Sequence, residues 1–346
     1  MINEKSFAME HIESIRSNKK VDINLLERSI YAFGLLEALV RVGLPFIFKG
    51  GTSLMLLLDK PKRLSTDIDI IVKPGTEVED FIKQASKIIP FKDYKKQTRK
   101  GKNNIEKVHY QFFYDSPVYK REFYILLDIL FEENNYERLI QKNIKNEILL
   151  TEEPYLNVTL PTVDCVLGDK LTAFAPHTTG IRFGEDKDLE VIKQMFDVAC
   201  LFDNKENFED IRKTYFKTSA AEIEYRGLEI SPEAALMDTI DSAACIVGRG
   251  KFGTEYPLYS AVMKSLTNHI YDGSFSGEIA AVIACKVMYI AACVLKNKKP
   301  IIIDNPNTYL DVNIGNTKYG KLSFIRKYNA EAFAYVVETV TLLEKQ

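Results

Sequence analysis

The sequence predicts an α+β fold, a mixed β-sheet with flanking helices followed by a mainly α-helical C-terminal domain. Three observations predict it. Short apolar runs bounded by turn residues recur through the first 131 residues. Helical-period patterns dominate after about residue 162. The 346-residue length exceeds one minimal domain. The expected division is an α/β domain over residues 1–161 and a helical domain over 162–346.

The elements follow in order. Residues 22–43 place Leu25, Ile30, Phe33, Leu36 and Leu39 at helical spacing, with Asp22 as N-cap. Pro45–Lys49 is a short apolar strand, Gly50-Gly51 a tight turn, and Thr52–Leu58 a helix with Thr52 or Ser53 near its start. Asp67–Val72 is a second strand, closed by Pro74-Gly75. Thr76 and Glu79 form a capping box ahead of a helix marked by Val78, Phe81, Ile82, Ala85, Ile88 and Ile89. Strand-like runs occupy 91–98, 105–114 and 121–131. The last is almost wholly apolar, as in a strand covered on both faces, and its one charge in Phe123–Phe131 is Asp128. Helices are then expected over 163–174, 185–202, 206–224, 232–247, 257–270, 277–296 and 323–344.

Composition narrows the function classes. Apolar residues make up 46% and charged residues 27%, an ordinary soluble balance with enough apolar material for a core. The net charge of −2 argues against a histone-like binder and leaves room for a local basic patch. Five scattered cysteines with no C-x-x-C read as reduced thiols, and four distant histidines give no zinc pattern. The first twenty residues lack the apolar core of a signal peptide, so a cytoplasmic protein without a membrane partner is expected. Ile279–Leu295 is apolar but interrupted by Lys286, which points to a buried helix.

Three carboxylates carry the chemistry. Asp67 and Asp69 lie two apart, so one strand points both to the same face. Asp128 interrupts an apolar strand, where an unpaired charge is costly. With these strands adjacent, the three converge as hard oxygen ligands suited to Mg²⁺, and two such ions would clamp an in-line phosphoryl displacement. Gly50-Gly51-Thr52-Ser53 joins a strand to a helix N-terminus, where free N–H groups favour the triphosphate of an NTP. Ser53 would bond phosphate or cap the helix. Arg63 would grip phosphate or make a loop salt bridge. Lys49 is either a further contact or an exposed strand end.

Phe46-Ile-Phe-Lys-Gly-Gly-Thr-Ser-Leu54 followed by Arg63-Leu-Ser-Thr-Asp-Ile-Asp-Ile70 resembles the signature of the AbiEii/AbiGii toxin family within the DNA polymerase β-like nucleotidyltransferases. The motif covers about 25 residues, and the domain order extends the likeness over most of the chain. The resemblance implies an Mg²⁺-dependent transfer of NMP from an NTP, with GTP binding and tRNA modification as precedents. It also implies a toxin of a toxin–antitoxin or phage-defence pair with a cognate antitoxin. Asp128 matches the third carboxylate. Asp169-Lys170-Leu171-Thr172-Ala173 matches a motif whose Lys170 would neutralise phosphate charge. Arg182, Lys187, Asp188 and Asp197 match a further motif, in which Asp188 would be a catalytic or orienting acid and Asp197 lies farther from the K-D pair than in many members.

Other signals are weighed against these. Residues 92–107 hold seven Lys and Arg against Asp93 and Glu106, as a hairpin that would steer RNA or simply be solvated. Tyr94 and Tyr110 would stack on bases or pack in the sheet. Gly248-Arg-Gly-Lys-Phe-Gly253 spells G-x-G-x-x-G but follows a helical pattern, so it reads as a loop. Two alternatives to an RNA- or protein-modifying transferase stay open: a degenerate nucleotide- or RNA-binding module, and a small-molecule transferase of the antibiotic-modifying kind.

Overall fold

The computed structural model describes residues 1–19, 21–97, 107–184 and 187–344. The chain forms two compact units, Met1–Thr162 with Asn268–Gly273, and Val163–Thr267 with Ser274–Gln346. The short segment 268–273 thus groups with the first unit, a grouping that hydrophobic pattern does not signal. Within that unit the backbone N–H of Leu64 donates to His269 O (2.7 Å), and Lys62 pairs with Asp272 (3.1 Å).

The first unit begins with helices α1 (Met9–Lys19) and α2 (Ile23–Arg41). Asp22 caps α2 as expected, accepting from the backbone N–H of Asn24 and Leu25. Strand β1 (Ile47–Lys49) leads into α3 (Gly50–Leu57), then β2 (Ile68–Val72), α4 (Glu79–Ala85), β3 (Asp93–Gln97), β4 (Lys107–Ser116) and β5 (Arg121–Phe131). These five strands form one mixed sheet in the order β1-β2-β5-β4-β3, with β2 and β5 parallel and the other pairs antiparallel. A separate hairpin, β6 (Leu139–Asn143) and β7 (Asn157–Pro161), has too little alternation to be read from sequence.

Period-2 patterning divides the sheet into two faces. Phe48, Ile70, Ile129, Leu127, Tyr110 and Phe112 are buried on one face, and α2 and α4 contribute to the same core. The polar residues of the central strands fall on the other. Two local expectations change. Helix α3 starts at Gly50, so both glycines lie in its first turn and Lys49 is the N-cap residue. The capping box does not form, because Glu79 accepts hydrogen bonds from Lys96 and Tyr110 while Thr76 bonds Lys73 O.

The second unit contains α5 (Val163–Ala173), α6 (Asp188–Phe202), α7 (Phe208–Arg226), α8 (Pro232–Gly248), α9 (Tyr256–Thr267), α10 (Gly277–Lys296) and α11 (Ala330–Glu344). The last expected helix is split, since residues 320–327 form a 3₁₀ turn. Helix α10 is long and apolar enough to cross a membrane, but it packs against α8 and α11, 67% of its most apolar window is buried, and its Lys286 pairs with Asp203. It is therefore a core helix. The five cysteines are free, and burial pushes the Cys285 and Cys293 thiols up.

Candidate active site

Register builds the site. Lys49 pairs with Asp69 across β1 and β2, Asp69 with Asp128 across β2 and β5, and His109 with Asp128 across β4 and β5. Paired positions share a face. One row of side chains, Lys49–Asp69–Asp128–His109, therefore crosses the sheet opposite the apolar core. Ile68 and Ile70 anchor β2 in that core and turn Asp69 outward. Leu127 and Ile129 do the same for Asp128 on β5.

Asp67 lies just before β2, not in it as the sequence suggests. Its carboxylate accepts from Arg28 Nη2 on α2 at 3.3 Å, and its carbonyl accepts from Thr52 Oγ1 at 2.6 Å. Asp128 Oδ1 lies 2.5 Å from His109 Nδ1. Side chains of Asp67 and Asp128 remain 45% and 33% exposed, so the carboxylates stay accessible to a substrate.

The glycine turn closes on this row. Gly50 has φ +79°, and a Cβ built on it would lie 2.0 Å from Asp69 Oδ2. Only glycine tolerates both conditions. At Gly51 a Cβ would lie 2.7 Å from Arg63 Nη2 and 2.8 Å from Ser65 Oγ. The guanidinium of Arg63 is thus packed under the turn, where it also bonds Leu64 O, and the residue is buried. Thr52 and Ser53 are buried with inward hydroxyls, Thr52 on Asp67 O and Ser53 on Gly50 O at 2.8 Å. They brace the turn; what the turn offers an anion is main-chain N–H of the first helical turn.

Lys170 and Asp188 belong to the second unit. Lys170, on α5, is buried and donates to Gln194 Oε1 (2.7 Å) while pairing with Asp197 Oδ2 (3.1 Å) on α6. Asp197, 1% exposed, is therefore the partner of Lys170. Asp188 opens α6 and accepts from the backbone N–H of Gly184 at 2.7 Å. In the basic segment, Thr98–Glu106, including Arg99, Lys100 and Lys102, lies outside the described residues. Among its described members Lys92 pairs with Asp115 and Glu122, and Lys96 with Glu79. Lys96 and Tyr110 hold the Glu79 carboxyl below the usual range. Tyr110 is fully buried and packs against Tyr94.

Among the described residues no three His, Cys, Asp or Glu side chains form a group able to hold a metal ion. The site is thus no closed protein cage. Mg²⁺ is commonly held by one or two carboxylates together with substrate phosphates and water. Hard oxygen donors on adjacent strands, open to solvent beside a helix N-terminus, fit that mode.

Pattern reading misses His109, Arg28 and Glu27. His109 is recoverable by counting. Once 107–116 and 121–131 form a hairpin with Ser116 opposite Arg121, His109 falls opposite Asp128. Arg28 and Glu27 lie on α2, and nothing local marks them.

No curated protein sequence matches the chain. Among solved structures it is similar to JHP933 from Helicobacter pylori, with a TM-score of 0.44 and 14% identity over 78% of this chain and 93% of that one. It is also similar to a candidate nucleotidyltransferase from H. pylori, with a TM-score of 0.44 and 13% identity over 78% and 96%. Residues 34–244 match the family described as "Nucleotidyl transferase AbiEii toxin, Type IV TA system". That match spans more than half of the sequence and takes in the glycine turn, Asp67, Asp69, Asp128 and Lys170, so the chain belongs to the AbiEii family of nucleotidyltransferase toxins.

Proposed function

We propose that this toxin transfers NMP from an NTP to an RNA, such as tRNA, or to a protein, in the cytoplasm and under the control of a cognate antitoxin. GTP is one candidate donor, and defence against phage one setting. The observation that carries the reading is the pairing of Asp69 with Asp128 on parallel strands, with Gly50 closed against Asp69.

Asp67, Asp69 and Asp128 are the residues that would hold Mg²⁺, in one or two ions. Bound there, Mg²⁺ supplies Lewis-acid polarisation of the transferring phosphoryl group. Gly50 and Gly51 let the triphosphate approach the backbone at the start of α3, whose N–H groups and dipole favour negative charge. Thr52 and Ser53 hold the turn, and Arg63 supports it from beneath with a fixed positive charge. Asp128 orients or deprotonates the acceptor hydroxyl, and His109 fixes its carboxylate. Lys170 and Asp188 enter through the family motif as charge-neutralising and orienting groups, with Asp197 and Gln194 fixing the ammonium.

The test is Mg²⁺-dependent pyrophosphate release from each NTP with total RNA or lysate protein as acceptor. Asp69→Ala is expected to abolish release and any growth toxicity, and undiminished release by that variant would refute the assignment. A second reading, a nucleotide- or RNA-binding module without catalysis, is favoured by one observation, since Asp67 and Asp128 are engaged by Arg28 and His109. NTP binding with no pyrophosphate on any acceptor would select it.

A further inference from the structure

The tip of the β4–β5 hairpin displays aromatic rings in parallel. Tyr119 and Phe123 have centroids 5.0 Å apart with planes 15° from parallel, and Phe123 and Tyr124 are 5.9 Å apart at 17°. Elsewhere in this unit Phe91–Phe112 and Tyr114–Phe123 meet edge to face, while the buried Tyr31–Tyr114 pair stacks at 3.8 Å, so what distinguishes the tip is parallel rings that reach solvent. Tyr119 and Tyr124 are 37% and 36% exposed. Guanidinium groups flank the rings, Arg121 at 5.3 Å from the Tyr119 centroid and Arg28 at 5.6 Å from that of Phe123. Lys120 adds a further exposed cation. The nearby acids Asp115 and Glu122 are both paired with Lys92. Arg28 also contacts Asp67, so one cation lies between Phe123 and that carboxylate, while Tyr124 shares the strand face of Asp128.

We propose that this ring ladder is a stacking platform for unpaired bases of a single-stranded RNA acceptor, with Arg28, Lys120 and Arg121 following its phosphates. Parallel exposed rings interleaved with cations suit a strand that offers a π-face and a negative charge at each nucleotide. Along β5, Tyr124 lies four residues from Asp128, about 13 Å at strand rise, which is a span of a few nucleotides. The assignment deepens the transferase reading and rests on it for the word acceptor.

The experiment uses the full chain and a short single-stranded RNA containing 2-aminopurine, whose fluorescence is quenched on stacking. Binding is measured without NTP or metal. Quenching by the wild type is expected. Tyr124→Ala and Tyr119→Ala should each weaken binding about tenfold, whereas Tyr124→Phe retains both quench and affinity. Arg121→Gln should flatten the log–log salt dependence by about 0.7. Thermal melts establish that the variants fold, which the exposure of both tyrosines favours. No quenching by the wild type, or unchanged binding by both alanine variants, overturns the platform. Loss of antitoxin neutralisation with RNA binding intact overturns it too, because the rings would then serve a protein partner. Pyrophosphate release is read in parallel. Release onto RNA unaffected by the alanine variants refutes the platform and leaves the transferase reading standing. Ring-dependent quenching with no release on any acceptor does the reverse.

Discussion

Replacing Gly50 by alanine separates backbone strain from damage to the site. The residue has φ +79°, where an L side chain costs about 1–2 kcal/mol. The added methyl group would sit 2.0 Å from Asp69 Oδ2, 2.7 Å from its Cγ and 2.9 Å from its Cβ. Ordinary contact begins near 3.4 Å, so the nearest oxygen must retreat by about 1.4 Å. A displacement of about 1 Å in a reacting constellation costs roughly a hundredfold in rate. Gly50→Ala is therefore expected to lose at least about 100-fold in kcat for pyrophosphate release while losing only about 1–3 kcal/mol in stability.

Gly43 supplies the control. It has φ +76° in the same unit, and beyond its chain neighbours no atom lies within 4 Å of where an added methyl would sit. Gly43→Ala carries the strain without the collision. Denaturant unfolding should show a cost of about 1–2 kcal/mol, and transfer per folded molecule should stay unchanged. Equal losses of activity in both variants, or a Gly50→Ala enzyme with normal kcat, would refute the claim that Gly50 sets the position of Asp69.

Two further outcomes follow from carboxylates engaged away from the candidate site. Glu27 is fully buried and accepts from Tyr114 Oη (2.8 Å), Ser116 Oγ (2.8 Å) and the Val118 N–H (3.0 Å), so Glu27→Ala strands three donors at the turn end of the β4–β5 hairpin. A loss of about 3 kcal/mol in urea unfolding is expected, and a loss below about 1 kcal/mol would contradict that role. In the second unit His177 lies between Asp238 (2.6 Å) and Glu255 (2.8 Å). Its burial lowers the imidazole pKa, but the hydrogen bonds to Asp238 and Glu255 outweigh it and hold the value above the usual range. Tyr259 faces both carboxylates and Cys245 faces Glu255. A raised folded-state pKa stabilises fully below the unfolded value near 6.5 and is lost as pH rises through the folded value. The stability gap between wild type and His177→Gln should therefore shrink on passing from about pH 6 to alkaline pH, by no more than about 1 kcal/mol for so exposed a group. A gap independent of pH would refute it.

The fold was legible where one pattern acted alone. Phe123–Phe131 is apolar because it lies in the middle of a sheet, and Asp128 stands out against it. Helix α8 shows both its period and its Ser231-Pro232 start. Legibility failed where long-range contacts decide. Glu79 has capping-box spacing, yet Lys96 and Tyr110, distant in sequence, take its carboxylate. Gly50 reads as a turn residue, but its need to be glycine comes from Asp69, nineteen positions on. Thr52 and Ser53 look like ligands because hydroxyls near glycines often are, and only burial shows that they face inward. Arg28 and Glu27 are consecutive on α2 and reach different partners, Asp67 and the turn end of the β4–β5 hairpin, which no local period encodes.

The same register explains why the carboxylate row needs counter-charge. Asp69 and Asp128 are direct neighbours on parallel strands. At the inter-strand spacing of about 4.8 Å and an effective dielectric of about 20, two full charges repel by about 3 kcal/mol. The 33% exposure of the Asp128 side chain lowers this toward about 1 kcal/mol. Lys49 in register on one side and His109 on the other flank the pair. Single substitutions disturb those flanking contacts as well, so a double-mutant cycle is required. Asp69→Asn and Asp128→Asn each relieve the same repulsion, so in metal-free buffer the double variant should gain less than the sum of the two, by about 1 kcal/mol. Repeating the cycle in Mg²⁺ should reverse the sign of the coupling, since a shared cation makes the two charges cooperate. A coupling of zero in both buffers would mean that the two carboxylates do not act on each other, and the proposed metal site would lose its physical basis.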